Sequence, residues 1–153
     1  MPAPQISEDG FGFLLHDVAR LLRRNFNRRV RSIGLTQEQC RVILLLSRHE
    51  GIQQVDLAEL LEIQPITLAR LLDKLQETGL IERRRNPDDR RAFRLHLTKQ
   101  AHPVLKRILA VGAATRADAS KDVTKADLDV LFSVLCQFKA NLIDAEEAQQ
   151  SEP

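Results

Sequence analysis

The sequence predicts a mainly α-helical fold with a small β-wing. Two helical patterns separated by a tight break lie between Gln53 and Gly79, and two short β-like runs follow them. The second helical pattern has one apolar stripe at the i, i+3, i+4, i+7 spacing, formed by Leu68, Leu71, Leu72 and Leu75. Longer helical patterns lie before and after this module. This order of elements predicts a winged helix-turn-helix with long N- and C-terminal helices.

The N-terminal part predicts two helices. Apolar residues keep a helical period from Phe11 to Ile33, and Gly34 ends that helix. The run Thr36-Gln37-Glu38-Gln39 is a capping box, which opens the second helix. That helix is apolar nearly all round, so we expect it in the middle of the domain.

Local signals bound the elements of the helix-turn-helix and the wing. Gln53 occupies the cap position of the third helix, Pro65 suits the first turn of the fourth, and Gly79 ends the fourth at its C′ position. The wing strands are predicted at Leu80–Arg83 and Phe93–Leu97.

Two further helices are predicted after the wing. The first runs from Thr98 to about Ser120, with Pro103 in its first turns, and Thr124 caps the second.

The free face of the fourth helix is polar and basic. Thr67, Arg70 and Lys74 lie opposite the leucine stripe, with Gln64 and Pro65 at the helix entrance. A helix-turn-helix places the N-terminal residues of its second helix against base edges in the major groove. We therefore expect this face to read double-stranded DNA.

The predicted wing is rich in arginine. Residues 83–94 contain six arginines against two aspartates, Asp88 and Asp89. A hairpin whose arginines only keep its edge solvated would look the same. DNA binding is the preferred interpretation because the ribbon follows a polar, basic helix and because narrow minor grooves attract arginine.

The run from Leu57 to Thr98 resembles the DNA-binding core of MarR-type bacterial regulators. The resemblance rests on the helix from Thr67 to Gly79, followed by Leu80 and Arg83, on the wing motif Asp89-Arg90-Arg91, and on Leu97-Thr98. It implies a dimeric winged-helix transcriptional regulator with dimerisation through its terminal helices. It also implies that Arg91 enters the minor groove and that Asp89 holds it or a neighbouring arginine. The chain departs from the family pattern at Ala101, where glycine is usual, and at Cys40, where tryptophan is frequent.

These arguments give one predicted set of DNA contacts on the fourth helix and the wing. Its members are Gln64, Pro65, Thr67, Arg70, Lys74, Arg83, Arg85, Asp89, Arg90 and Arg91.

The chain is expected to form one domain, residues 1–153, and to be a homodimer. The DNA-binding lobe is predicted at 52–98 and the helical dimerisation region at 9–33 and 104–145. The flanking helices carry more apolar surface than one small domain can cover, which is typical of an obligate interface.

Composition narrows the function classes further. The net charge is only +2, so the clustering of arginines is better evidence for nucleic-acid binding than the total charge. No signal peptide and no apolar run of membrane-spanning length is seen, and the two cysteines lack metal-ligand spacing. A cytoplasmic protein without a membrane, metal or cofactor partner is expected. The absence of any catalytic motif predicts that the chain is not an enzyme.

The first helix also carries an arginine-rich face, formed by Arg20, Arg23, Arg24, Arg28, Arg29 and Arg31. A solvated face with apolar stems is one interpretation, and direct phosphate contact is the other. The solvated face is the preferred interpretation of the sequence.

The family resemblance implies a small, anionic or aromatic effector between the helices and the DNA-binding lobe. Residues expected near it are Phe13, His16, Arg20, Cys40 and Arg41, although residues of each kind are more often packing or surface residues than ligand contacts. Cys40 begins the apolar stripe of a buried helix, so we expect an inert packing thiol rather than an oxidant sensor.

The predicted function is a sequence-specific regulator, a repressor acting on a pseudo-palindromic operator. The alternative is a non-enzymatic winged helix used for protein interaction or for sequence-blind DNA architecture. Base-reaching side chains on the fourth helix favour specific reading.

Overall fold

A computed structural model describes residues 10–86 and 92–150 of the chain. It divides into two compact units, Met1–Arg116 and Ala117–Pro153. The predicted wing-tip residues Asp89, Arg90 and Arg91 lie outside the described residues.

The described part contains six α-helices, one short 3-10 turn and two strands. The helices are α1 (Gly10–Val30), α2 (Gln37–Arg48), α3 (Gln54–Leu61), α4 (Pro65–Glu77), α5 (Ala101–Ala119) and α6 (Lys125–Gln150). Strands β1 (Ile81–Arg85) and β2 (Phe93–Leu97) form one antiparallel hairpin, with Ile81 opposite Leu97 and Arg85 opposite Phe93. The prediction of a mainly helical protein with a small β-wing is confirmed.

The start of α2 forms as the sequence predicts. Thr36 Oγ1 accepts a hydrogen bond from the Gln39 backbone N–H at 3.2 Å, and Gln39 Oε1 accepts one from the Thr36 backbone N–H at 2.9 Å. These reciprocal bonds satisfy two N–H groups that the first turn of a helix leaves without partners.

The first helix is shorter than predicted, because its last residues tighten into a 3-10 turn, Arg31–Ile33, before Gly34. Gly34 closes that turn with a φ of 79°. The last helix is longer than predicted and reaches Gln150.

The join between α4 and β1 explains a one-residue shift in the predicted strand. Gly79 adopts a φ of 72°, and its N–H donates to Gln76 O while the Leu80 N–H donates to Leu75 O, both at 2.9 Å. This pair of bonds is a Schellman motif. Because Leu80 belongs to the helix end, β1 begins at Ile81 and its pairing continues to Arg85.

Helix α5 begins at Ala101 rather than at the predicted Thr98. The Thr98 N–H donates to Leu80 O at 3.1 Å and its hydroxyl donates to Gly79 O at 2.5 Å. These bonds hold Thr98 at the base of the wing, beside the end of α4. Helix α5 then begins at Ala101, whose N–H donates to Thr98 O. Pro103 lies in the first turn, as predicted.

The core of the first unit is aliphatic and surrounds α2. Helix α2 contacts α1, α3, α4 and β2. Side chains from every surrounding element close the core, including Val30, Ile43, Leu46, Leu57, Leu68, Leu72, Leu75, Leu95 and Ile108. The central position predicted for the second helix is confirmed.

Long apolar faces remain exposed on α1 and, separately, on α6. On α1 the exposed residues are Phe11, Phe13, Leu14, Leu15, Val18 and Leu21. Among the described side chains of α6 none is buried, and the exposed apolar residues include Val130, Leu131, Phe132, Leu142 and Ile143. Patches of this extent are unusual on a soluble monomer.

Candidate nucleic-acid interface

The turn between α3 and α4 sets the start of the candidate reading helix. Glu62 takes a left-handed backbone conformation with a φ of 54°, and its N–H and that of Ile63 bond back to the last turn of α3. Gln64 is the N-cap residue and Pro65 the first residue of α4. The helix therefore begins where the sequence predicts.

Helix α4 separates its apolar and polar residues cleanly. Leu68, Leu72 and Leu75 are fully buried, while Leu71 is half-buried. Five predicted contact residues are all exposed, namely Gln64, Pro65, Thr67, Arg70 and Lys74. Thr67, Arg70 and Lys74 share one exposed face of α4, and Gln64 and Pro65 are exposed at its N-terminal end. Ile66, which the prediction left out, is also exposed on the first turn.

Arg83 of β1 is attached to α4. Its Nη2 donates to Asp73 Oδ1 at 2.7 Å and its Nη1 donates to Gln76 Oε1 at 2.6 Å. The Arg83 side chain is 20% exposed, against 60% for Asp73. These bonds hold the first wing strand against the helix. Asp73 and Gln76 were missed by sequence reasoning, although a carboxylate on the helix before an arginine-rich strand was the available signal.

The other described wing arginines differ in their surroundings. Arg85 is exposed at the end of β1, and Arg84 pairs with Glu82. Arg94 Nε donates to Asn86 Oδ1 at 3.2 Å, and Asn86 is 5% exposed. The Asn86 N–H donates to Ala92 O at 3.0 Å, which closes the base of the wing loop. The sequence did not indicate this buried asparagine.

The wing also contacts the segment before α3. Gln53 pairs with Arg94, and the Leu95 N–H donates to Ile52 O at 3.0 Å. His96 lies next to this segment, with its Nδ1 at 3.6 Å from Glu50 Oε1. The wing is therefore anchored on two sides, to α4 and to the start of the helix-turn-helix.

The five residues predicted for an effector site are not gathered in one pocket of the described part. Cys40 is fully buried in the core, whereas Phe13 is 78% exposed. His16 and Arg20 line an open groove on α1. Arg41 lines a different groove of about 450 Å³, with Arg23 and Gln37 on one side and Leu61, Glu62 and Ile63 on the other.

The buried thiol has the electrostatic character expected of a core residue. Burial raises the pKa of Cys40 to about 11, and the nearby carboxylate of Glu38 adds to the effect. A thiol held in its neutral form is a poor nucleophile. The expectation that Cys40 is buried is confirmed. Cys136, on α6, is exposed.

The described residues contain neither a metal-binding cluster nor a helix that could span a membrane. Within 10–86 and 92–150, no group of three or more His, Cys, Asp or Glu side chains is placed to hold a metal ion. Over the same residues, none of the helices is both long and apolar enough to span a bilayer.

Comparison with known proteins agrees with this architecture. A profile of the MarR family matches residues 35–93, from the residue before the capping box of α2 to the start of β2. The crystal structure of a transcriptional regulator, PA3341, is 35% identical, with a TM-score of 0.78 over 88% of this chain and 98% of that one. This chain belongs to the MarR family.

Two further solved structures cover most of the chain. A crystal structure of MarR is 28% identical, with a TM-score of 0.76, over 97% of this chain and 99% of that one. A mutant of MarR from E. coli, complexed with operator DNA, is 26% identical, with a TM-score of 0.72, over 83% and 91% of the two chains. The chain is therefore a MarR-family transcriptional regulator with a winged-helix DNA-binding fold.

Proposed function

We propose that this chain is a transcriptional repressor that binds a pseudo-palindromic double-stranded DNA operator as a homodimer. The observation that carries the proposal is the exposed face of α4, where Gln64, Thr67 and Arg70 stand opposite fully buried leucines. Side chains of these types form the specific hydrogen bonds to base edges in the major groove. The relative in complex with operator DNA supports the same use of the fold.

Each predicted contact has a role in this proposal. Arg70 and Thr67, with Gln64, read bases, while Pro65 shapes the helix entrance and Lys74 neutralises a phosphate. Arg85 contacts the backbone from the described end of the wing, and Arg90 and Arg91, with Asp89, serve the minor groove from its tip. Arg83 holds the wing at a defined distance from α4, because its guanidinium already bonds Asp73 and Gln76.

Homodimerisation is supported by the apolar side chains that lie exposed on α1 and, separately, on α6. Val18 and Leu21 on α1 are 44% and 52% exposed, and Phe132 on α6 is 73% exposed. A two-fold interface would cover such faces, and two reading helices would then enter successive major grooves about 10 bp apart. Sedimentation at micromolar concentration should show a dimer, and a stable monomer would contradict the proposal.

A small anionic or aromatic effector that releases the DNA completes the proposal. The groove that adjoins the turn before α4 combines two cationic groups, Arg23 and Arg41, with the apolar Leu61 and Ile63, and Gln37 and Glu62 complete its lining. A ligand there would bias the position of the reading helix, provided that it binds the free and DNA-bound states with different affinities. Arg41→Ala should weaken release by such a ligand.

Selection from a random duplex library tests the proposed DNA recognition. A repressor of this kind should enrich a pseudo-palindrome with half-site centres about 10 bp apart. The enriched duplex, placed across a promoter, should lower expression of a reporter when the protein is present. Equal affinity for the enriched and random duplexes would instead support sequence-blind binding, because backbone contacts alone give little discrimination.

A further inference from the structure

Helix α1 carries a cationic groove that the proposed reading of DNA by α4 and the wing does not use. The groove has a volume of about 690 Å³ and is lined by five exposed arginines with His16: Arg20, Arg23, Arg24, Arg28 and Arg31. Its lining contains no carboxylate. We propose that this arginine groove is an additional contact surface for the phosphate backbone of DNA, on a helix outside the winged module. The inference rests on the proposed DNA-binding function.

The arginines share one side of the helix. At 100° per residue, the five side chains lie opposite the apolar stripe that includes Leu14, Val18 and Leu22. From Arg20 to Arg31 the helix rises about 16 Å, a length over which one DNA strand presents about five phosphates. The face therefore matches a stretch of backbone in length and sign.

Within the described residues, acidic neighbours neutralise little of this charge. Asp17 pairs with Arg20 at 3.1 Å, and both side chains are at least half exposed. No ion pair is present for Arg24, Arg28 or Arg31 in residues 10–86 and 92–150. Arg20, Arg24 and Arg28 are spaced four residues apart, and like charges at that spacing destabilise a helix. A bound polyanion would relieve this repulsion.

The arginine groove adjoins a second groove that reaches the turn before α4. Arg23 lines both the arginine groove and the neighbouring groove that contains Glu62 and Ile63, the residues directly before the start of α4. All these residues belong to the same compact unit. A phosphate backbone that follows the edge of the α4 site can therefore extend onto α1.

The shape and chemistry of the groove favour a polymer over a small ligand. Small-molecule sites enclose their ligand and are lined mostly by apolar groups. This groove is open, and its lining is cationic. A lipid surface fits less well, because several apolar side chains must accompany the basic ones into a bilayer interface. On α1 Phe13 is on the arginine side, whereas Leu14, Val18 and Leu22 lie opposite it.

The salt dependence of DNA binding tests the proposal. The triple variant Arg24→Gln/Arg28→Gln/Arg31→Gln would be compared with the natural chain on a duplex enriched by it and on a random 40-bp duplex. Each lost phosphate contact lowers the slope of log K against log salt by about 0.9. Because a homodimer loses each contact twice, the slope should become shallower by about 5 on both duplexes. The ratio of specific to random affinity should change little, because no base contact is lost.

Two control proteins separate local contacts from general charge. The Lys variants at the same three positions should keep the natural slope, because they retain the charge. Lys106→Gln/Lys121→Gln/Lys139→Gln removes the same number of positive charges from exposed positions on α5 and beyond it. It should leave the slope unchanged. Single glutamine variants, each expected to lower the slope of the dimer by about 1.8, keep the test valid if the triple variant unfolds.

Each outcome decides the question. A natural chain that binds neither duplex removes the proposed function and this inference together. If the natural chain binds DNA and the Arg24→Gln/Arg28→Gln/Arg31→Gln variant keeps the natural slope, this inference alone is overturned. The same holds if the Lys106→Gln/Lys121→Gln/Lys139→Gln control loses as much slope as that variant. Binding to vesicles of anionic phospholipid that is lost in the arginine variant, while its DNA slope stays the same, would assign the groove to lipid instead.

Discussion

Arg83 on β1 and Asp73 on α4 form an ion pair across the join between the wing and the reading helix. The Nη2 to Oδ1 distance is 2.7 Å, and the second nitrogen of the same guanidinium bonds Gln76. Ten residues separate the partners along the chain, with the Schellman turn at Gly79 between them. The pair therefore links the two elements proposed to contact DNA, beyond the short connection that the backbone provides.

Breaking that pair should affect recognition more than stability. Asp73→Ala is expected to cost at most about 1 kcal/mol of unfolding free energy, because the carboxylate is largely exposed. It should lower affinity for the enriched duplex but maintain or raise affinity for a random duplex, because it removes an acidic group. Binding to both duplexes and urea denaturation measure these effects.

Arg83→Ala gives the matched comparison. If Arg83 only positions the wing, this variant should lose discrimination as Asp73→Ala does and keep the natural salt slope, and the double variant should add little. A slope shallower by about 1.8, one contact in each subunit of the dimer, would show that Arg83 contacts phosphate directly.

Arg70 is expected to read a base. Arg70→Ala should cost about 1–3 kcal/mol at each half-site on the enriched duplex and relax specificity at one base position, since arginine pairs bidentately with guanine. Arg70→Lys should keep the salt slope but lose the discrimination, because lysine lacks the planar fork. Equal weakening on enriched and random duplexes by Arg70→Ala would limit this residue to phosphate contact.

Gly79 is expected to be irreplaceable without a loss of stability. Its φ of 72° lies in the left-handed region, and an added Cβ would lie 2.6 Å from Gln100 Oε1. Gly79→Ala should cost about 1–2 kcal/mol for the backbone conformation, and the contact with Gln100 adds to that cost.

Gly34 offers the control for this substitution. It has a φ of 79° but no atom within 4 Å of an added Cβ, so Gly34→Ala measures the backbone cost alone. Gln100→Ala should bring the cost of Gly79→Ala down to that of Gly34→Ala in urea denaturation. A cost that Gln100→Ala does not change would show that the flexible side chain moves aside freely.

Cys40 should make stability depend on pH in the alkaline range. Its pKa is about 11 in the folded protein and 9.0 as an ordinary thiol, so the folded state retains a proton that the unfolded chain releases. The contribution is fully present below pH 9 and declines as the pH rises towards 11. The drop should be about 2–3 kcal/mol across this window.

The comparison is made between Cys136→Ser and Cys136→Ser/Cys40→Ala. Titratable groups other than Cys40 then contribute equally to the pH dependence of unfolding in both proteins. The unfolding free energy of the first protein should fall towards that of the second between pH 9 and 11. Native Cys136→Ser should also react slowly with a thiol reagent and retain its DNA binding in peroxide. Rapid labelling, or a peroxide response that Cys40→Ser abolishes, would make Cys40 a redox switch.

Local signals in the sequence were enough to predict most of the fold. The capping box at Thr36, the helix start at Pro65 and the helix end at Gly79 all depend on bonds or backbone angles within a few residues. The exposed face of α4 was predictable for the same reason. A helical period that buries Leu68, Leu72 and Leu75 leaves Thr67 and Arg70 outside. The family pattern in the same stretch added the expectation of a regulator.

Only the tertiary structure decided which partners the side chains find across distance. Arg83 was predicted as a DNA contact from charge alone, and its attachment to Asp73 and Gln76 depends on how β1 packs against α4. The later start of α5 arises because Thr98 bonds Leu80 and Gly79 across the base of the wing. Likewise, Arg23 joins two grooves only because α1 passes the turn before α4. Periodicity specifies the side of an element on which a residue lies, whereas packing decides what that side meets.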